Sequence, residues 1–170
     1  MDDTLKLHVL EKEDLPFIHQ LFNNIDIMKY WFEEPSHSMA LLEEQFSRNI
    51  RSEHIRQFTL KKDSENIGYI GFYNIEQIHR KAEFGIMIDP KHQGNGYASK
   101  AMELAIDYAF TILNLHKLYL IVAKENEKAI HIYKKAGFQV EAELKDEFFI
   151  HGSYHDTIVM SIFQHDYIKS

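Results

Sequence analysis

Two glycines two residues apart, in His92-Gln93-Gly94-Asn95-Gly96-Tyr97-Ala98-Ser99, stand directly before a run that turns apolar at helical spacing. Residues of that kind at that place suit one chemistry. Glycine accepts the backbone conformations a tight loop needs. The N–H groups at a helix start are unpaired donors at the positive end of the helix dipole. A phosphate or pyrophosphate fits such a loop. Three nucleotide patterns compete for it. A P-loop ends in Gly-Lys-Ser/Thr, whereas this chain reads Gly96-Tyr97-Ala98. A dinucleotide fingerprint needs a third glycine where Ser99 stands, and an acid farther on where the chain has Leu115, His116 and Lys117. The third pattern, Q/R-x-x-G-x-G/A, is met by Gln93, Gly96 and Ala98.

Other residue groups carry chemistry too. In ENEKAIHIYKKAGF, Asn126 is placed to cap a helix, Tyr133 to donate a proton, and Gly137 to close the helix. Glu33 and Glu34 stand beside Tyr30 and Trp31, and Glu83 lies in a strand-like run. Carboxylates hold ammonium groups, and aromatic rings cover methylenes or contact cations. No metal site is expected. The chain has eleven histidines and no cysteine, but no HExxH, and His151 and His155 straddle a turn. Without cysteine there is also no covalent thiol relay.

Composition narrows the partners. The net charge of −7 argues against nucleic acid, which selects a cationic surface, and suits a cationic ligand. The start, MDDTLKLHVLEKEDL, lacks a basic n-region and an apolar core. No apolar run approaches the roughly 20 residues of a membrane span. A cytoplasmic protein with no membrane partner is the expectation. The 170 residues, 45% hydrophobic, suit one domain over 1–170.

Positioning these groups needs a definite set of elements. Alternation predicts strands over Lys6–Lys12, Arg56–Lys62, Asn66–Ile75, Lys81–Asp89, Leu118–Ala123, Glu141–Ile150 and Tyr154–Phe163. Gly85 inside the fourth marks a bulge or a close backbone approach. Helices are predicted from Asp14, as N-cap, to Phe22, over Met39–Arg51 with Leu41, Leu42, Phe46 and Ile50 inward, over Tyr97–Leu113, and from Asn126 to Lys135. A helix between two central strands implies a βαβ unit amid hairpins, hence an α/β fold on a mixed sheet.

Gln93-Gly94-Asn95-Gly96-Tyr97-Ala98 resembles the acetyl-CoA loop of GCN5-related N-acetyltransferases. The later asparagine, with Ala129, Tyr133 and the closing Gly137-Phe138, resembles that family's second signature. IMKYWFEEP, IHRKAEF, FTILNLHKLYL and EFFIHGSYHD look like bacterial spermidine N-acetyltransferases, and this likeness spans nearly the whole chain. The resemblance implies a central, mostly antiparallel sheet flanked by helices, and acetyl-CoA as cosubstrate. It places the cofactor on Phe84, Gly85, Ile86, Met87 and Ile88, on Gln93, Gly94, Asn95, Gly96, Tyr97, Ala98 and Ser99, and on Asn126, Lys128, Ala129, Tyr133 and Lys135. It makes Tyr133 the general acid and gives the polyamine to Met28, Tyr30, Trp31, Glu33, Glu34 and Glu83. It also implies a dimer-based homo-oligomer, up to a dodecamer. Departures cluster in the half that senses polyamine: Leu41 and Asn74 replace usual acids, and Asn49 a usual histidine. Two other readings stand beside this one. The same fold acetylates other amines, such as a protein N-terminus, an amino sugar or an antibiotic, or serves as a non-catalytic polyamine or acyl-CoA sensor.

Overall fold

The structure, a computed structural model, describes residues 5–168. Strands β1 (Leu5–Val9), β2 (Arg56–Lys62), β3 (Glu65–Glu76), β4 (Lys81–Ile88), β5 (Lys117–Ala123), β6 (Gln139–Ile150) and β7 (Ser153–Phe163) form a seven-stranded sheet in the order β1-β2-β3-β4-β5-β7-β6. Every neighbouring pair is antiparallel except β4–β5. Those two strands are joined by a crossover through helix α4 (Tyr97–Asp107), and a crossover returns the chain in the same direction. The expected mixed, mostly antiparallel α/β sheet is therefore found.

Period-2 alternation gives each central strand two apolar faces. Ile70 and Phe72 of β3 turn toward one side, with Phe58, Leu60, Ala82 and Phe84, and meet Ala101, Met102, Ala105 and Ile106 of α4. Burying each large side chain contributes roughly 1.5–3 kcal/mol. Tyr69 of β3 and Met87 of β4 turn the other way. There they meet Ile18 and Leu21 of α1 (Leu15–Phe22), Ile27 and Met28 of α2 (Ile25–Met28), and Leu42 of α3 (Met39–Asn49). Helix α5 (Glu127–Lys135) follows β5, and α6 (Gln164–Ile168) follows β7.

Several sequence expectations are corrected. The first strand ends at Val9, because Lys12–Asp14 form a 3₁₀ turn instead. Short helices α2 and α6 were not foreseen, being too brief to show a period. Helix α4 proper stops at Asp107; a π-helical turn, Tyr108–Ile112, completes the predicted length, with the Leu113 N–H donating to the Tyr108 carbonyl. On α3 only Leu42 is buried, while Leu41 and Ile50 are exposed. Gly85 marks no bulge, since β3 and β4 pair without interruption from Gly68–Ile88 to Tyr73–Glu83. The irregularity lies between Tyr73 and Glu76, where Asn74 takes φ +50°. Asparagine tolerates that left-handed conformation better than most residues.

Asp14 stands at the expected N-cap position of α1, but its side chain makes no capping hydrogen bond to that helix. It is buried, and one carboxylate oxygen accepts from Asn66 at 2.9 Å and faces Lys61 Nζ at 3.2 Å. The other accepts from the Glu11 N–H at 3.1 Å. These bonds pin the β1–α1 corner to the β2–β3 hairpin. Burial pushes the Asp14 carboxyl up, but Asn66, the Glu11 amide and Lys61 outweigh it and leave it below its ordinary value. The folded state therefore favours the ionised form. Its stabilisation is present above the unfolded aspartate range and is lost as pH falls through the lower folded value. Asp14→Asn should cost about 1–3 kcal/mol in urea unfolding at pH 7. The gap from wild type should narrow toward pH 3. A gap independent of pH would mean that Asp14 acts by shape alone.

Candidate active site

The site begins with a break in the sheet. β4 and β5 pair only at Lys81–Lys117, Ala82–Leu118 and Glu83–Tyr119, at the start of both strands. Beyond Glu83 they separate. β4 keeps β3 on one side, and β5 keeps β7 on its far side. Backbone groups of Phe84–Ile88 that point away from β3 are thus left without a strand partner. An extended ligand carrying amides can pair with them as an added strand would.

Directly after β4 comes the glycine loop. Gly94 and Gly96 have φ of +84° and +77°, which suits glycine and strains any other residue. A Cβ built at either would meet nothing within 4 Å, so both face open space. Gly96 is the N-cap of α4. Among the described residues, the backbone N–H groups of Gly94 through Ser99 donate to no protein acceptor. They are free for an anion at the positive end of an eleven-residue helix. Loop side chains serve the loop itself. Gln93 donates to the Ile88 carbonyl at 3.2 Å, and Asn95 to the His92 carbonyl at 3.2 Å. The Tyr97 hydroxyl accepts from Lys62 at 2.9 Å, which ties the helix start to β2.

A cavity of about 270 Å³ opens at the split. It is lined by Tyr30, Trp31, Phe32 and Glu33 from the segment after α2, Tyr73 from β3, Glu83, Phe84, Gly85 and Ile86 from β4, Ile121 from β5, Tyr133 from α5 and Phe148 from β6. The segment after α2 is held at both ends. Asn24 caps α2 by accepting from the N–H groups of Asp26 and Ile27. Asn23 exchanges two hydrogen bonds, each 2.9 Å, with the His37 backbone. Between them Phe32 takes φ +57° and stacks on Phe148, with ring centroids 4.0 Å apart. Trp31 lies over Gly85, where an added Cβ would overlap the indole. That close approach is the reason for a glycine at this position.

Three groups in the cavity have shifted acidity: Tyr73, pushed well up by burial, Tyr133 and Glu83. Burial pushes the Tyr133 hydroxyl up to about 12, so it is protonated at neutral pH. Among the described residues it has no hydrogen-bond partner and is available to donate. Glu83 is pushed above the usual carboxylate range by burial, with Asn74, donating at 3.0 Å, pulling part of the way back. A buried carboxylate of this kind is a better base than an exposed one. The Asn126 side-chain oxygen accepts from the Ala129 N–H at 3.2 Å, so it caps α5. Lys128 and Lys135 are exposed on that helix, seven residues apart and hence on one side of it.

The structure thus brings Tyr30, Trp31, Glu33, Glu83, Phe84, Gly85, Ile86 and Tyr133 to one cavity. Glu34 is exposed and does not line it. Met28, expected as a ligand contact, is fully buried in the core beneath α1–α3, so its side chain is a packing element. Tyr73, Phe32, Ile121 and Phe148 were not foreseen as lining residues. The alternation Tyr69, Gly71, Tyr73 on one strand face was the available signal for Tyr73. Among the described residues, no three histidine or carboxylate side chains are grouped to hold a metal, and no helix is long and apolar enough to cross a membrane.

Comparison with known proteins agrees with this geometry. Residues 4–139 match the acetyltransferase (GNAT) domain family. The chain is 52% identical over 165 residues to spermidine N(1)-acetyltransferase of Escherichia coli (strain K12), covering 97% of this chain and 89% of that one. The crystal structure of spermidine N-acetyltransferase from Vibrio cholerae in complex with CoA and spermine superposes with a TM-score of 0.94 at 49% identity, covering 96% of this chain and 98% of that one. The dodecameric structure of that enzyme in an intermediate state superposes at 0.87, with 48% identity and 96% of each chain covered. With its split sheet, its glycine loop of free amides and a tyrosine in the cavity at the split, the chain belongs to the GNAT acetyltransferase family.

Proposed function

We propose that the protein transfers the acetyl group of acetyl-CoA to a polyamine of the spermidine class. One observation carries this reading. A cavity with two carboxylates and an aromatic wall opens onto the same strand split as Tyr133. Six unpaired amides of the glycine loop offer a place for the CoA pyrophosphate. The open edge of Phe84–Ile88 offers one for the pantetheine amides. The Asn126 side chain is occupied at its oxygen by the α5 cap, which leaves its amide N–H groups for the cofactor arm.

The acceptor arrives as a polycation, drawn by the negative net charge and by Glu33 and Glu83. One terminal ammonium must lose a proton before its nitrogen can attack. Glu83, with its raised basicity, accepts that proton directly or through water. The amine nitrogen then bonds to the thioester carbon, and the carbon–sulfur bond breaks with its electron pair on sulfur. Tyr133 gives its proton to the thiolate. The second proton that the acylated nitrogen must shed passes to the Tyr133 phenolate, directly or through water, which leaves a neutral amide and restores the phenol. A phenol near 12 looks too weak to protonate a thiol of ordinary pKa near 8.5. The same burial that raises the phenol raises the thiol beside it, so the gap within the site is smaller than these values suggest. No covalent enzyme intermediate is needed, since direct attack within a ternary complex suffices.

Assembly follows the relatives, as a homo-oligomer. The replaced positions have local roles in this chain. Asn74 holds Glu83, Asn49 donates to Gln57 at 3.2 Å, and Leu41 is 37% exposed. Fewer carboxylates remain to hold a second, regulatory polyamine.

Two substitutions separate binding from chemistry. Gly96→Val forces a β-branched residue into φ +77° and places a side chain where the anion sits. CoA affinity measured by calorimetry should fall at least tenfold in a variant that melts normally, by loss of about 1.4 kcal/mol or more. Unchanged affinity would remove the loop from the cofactor site. Tyr133→Phe should lower kcat by about tenfold to a thousandfold, with little loss of acetyl-CoA binding. Wild-type turnover in that variant would make Tyr133 a packing residue, with water as the proton source. Both are read on spermidine, spermine and an N-terminal peptide, and a preference for the peptide would move the function to another amine. The spermine curve should be hyperbolic, and a strongly sigmoidal one would show that a second polyamine site survives.

A further inference from the structure

β2, β3 and β4 bring an unusual row of residues to the cavity side of the sheet. Gln57 lies opposite Gly71, and Gly71 opposite Gly85. Two glycines face to face leave a trough floored by backbone. Two rings fill it. Trp31 lies over Gly85, and Tyr73 folds back along its own strand so that its hydroxyl end lies over Gly71. The two rings meet edge to face, with centroids 6.3 Å apart. An added Cβ at either glycine would overlap its ring. The glycines and the rings are therefore one arrangement.

The Tyr73 hydroxyl is also held from behind. The Asn49 amide donates to the Gln57 side-chain carbonyl at 3.2 Å, and the Gln57 amide donates to the Tyr69 hydroxyl at 2.6 Å. The Tyr69 and Tyr73 hydroxyls share a hydrogen bond of 2.5 Å in which either can donate. Bonds that run from α3 to the cavity in this way strengthen one another. Whichever hydroxyl donates, the Tyr73 oxygen keeps a lone pair to accept with, and Tyr73 lines the cavity with Glu33, whose charge is felt by both phenols. Tyr69 itself is fully buried and can touch no ligand.

We propose that Tyr73 is a specificity-determining residue of the acceptor cavity, its hydroxyl fixed over the Gly71–Gly85 trough to engage an internal ammonium of the acceptor together with Glu33. The proposal rests on the polyamine reading above. The internal ammonium donates to the Tyr73 hydroxyl oxygen and to the Glu33 carboxylate. Tyr69 and Gln57 are positioning residues that keep the hydroxyl from rotating its lone pair away. A chain of methylenes in the same place would leave the buried Tyr73 hydroxyl unpaired on the acceptor side, which is how a buried polar group rejects an apolar analogue.

The test uses two acceptors of equal length on the full-length protein. Spermidine carries an internal nitrogen, and 1,8-diaminooctane has a methylene in its place. Tyr73→Phe should reduce the preference for spermidine, as the ratio of kcat/KM values, by about tenfold to a hundredfold, the range for a hydrogen bond to a charged group. The change should lie in KM for spermidine, with KM for acetyl-CoA unaltered. Tyr69→Phe keeps the Tyr73 hydroxyl but frees it, and should move the ratio the same way by about threefold or more. It also decides the matter should Tyr73→Phe fail to fold. An unchanged ratio, or equal losses on both amines, would overturn the assignment. A wild-type protein that acetylates neither amine would instead overturn the polyamine reading itself.

Discussion

The rest of the structure depends on a sheet that comes apart. β4 and β5 are the one parallel pair, and they stay paired for three residues only. A parallel pair is reached through a crossover, so a helix must lie between the two strands in sequence. The N-terminus of that helix then falls beside the end of β4, where the split is open. Anion site and open strand edge are thus neighbours because of topology.

The split also joins two otherwise separate layers. Phe84 and Tyr133 belong with the core under α4, while Trp31 and Tyr73 belong with the core under α1–α3. Both sets reach the same cavity because no β5 backbone closes the gap between them. The cavity is therefore open to both layers, which is what a donor along β4 and an acceptor on the other side would need under the proposed function. The segment carrying Trp31, Phe32 and Glu33 is placed by the Asn23–His37 backbone bonds and by the stack of Phe32 on Phe148. The wall over the acceptor is accordingly built from residues far apart in the chain.

Much of this was legible from residue order. The glycine loop, the Asn126 cap and Tyr133 are local features, and local geometry follows from a few adjacent residues. So did the mixed sheet, since one helix between two strands dictates a parallel pair. What stayed hidden depends on cross-strand register and on distant partners. Gly85 reads in one dimension as a bulge or a close approach, and only the packing of Trp31 over it decides for the second and names the partner. Asp14 reads as a helix cap, yet its partners, Lys61 and Asn66, are some fifty residues away. Met28 sits in a stretch full of cavity-lining aromatics, and only burial separates it from them.

The central claim is that the opened edge of β4 and the glycine loop together form the cofactor site, and backbone amide exchange reads both directly. Hydrogen–deuterium exchange should be followed on the protein alone and with saturating CoA. Slower exchange in peptides covering Phe84–Ile88 and Gly94–Ser99, with the tip of the β6–β7 hairpin unchanged, is the expected result. Protection elsewhere, with these two segments exchanging as fast as before, would contradict the account.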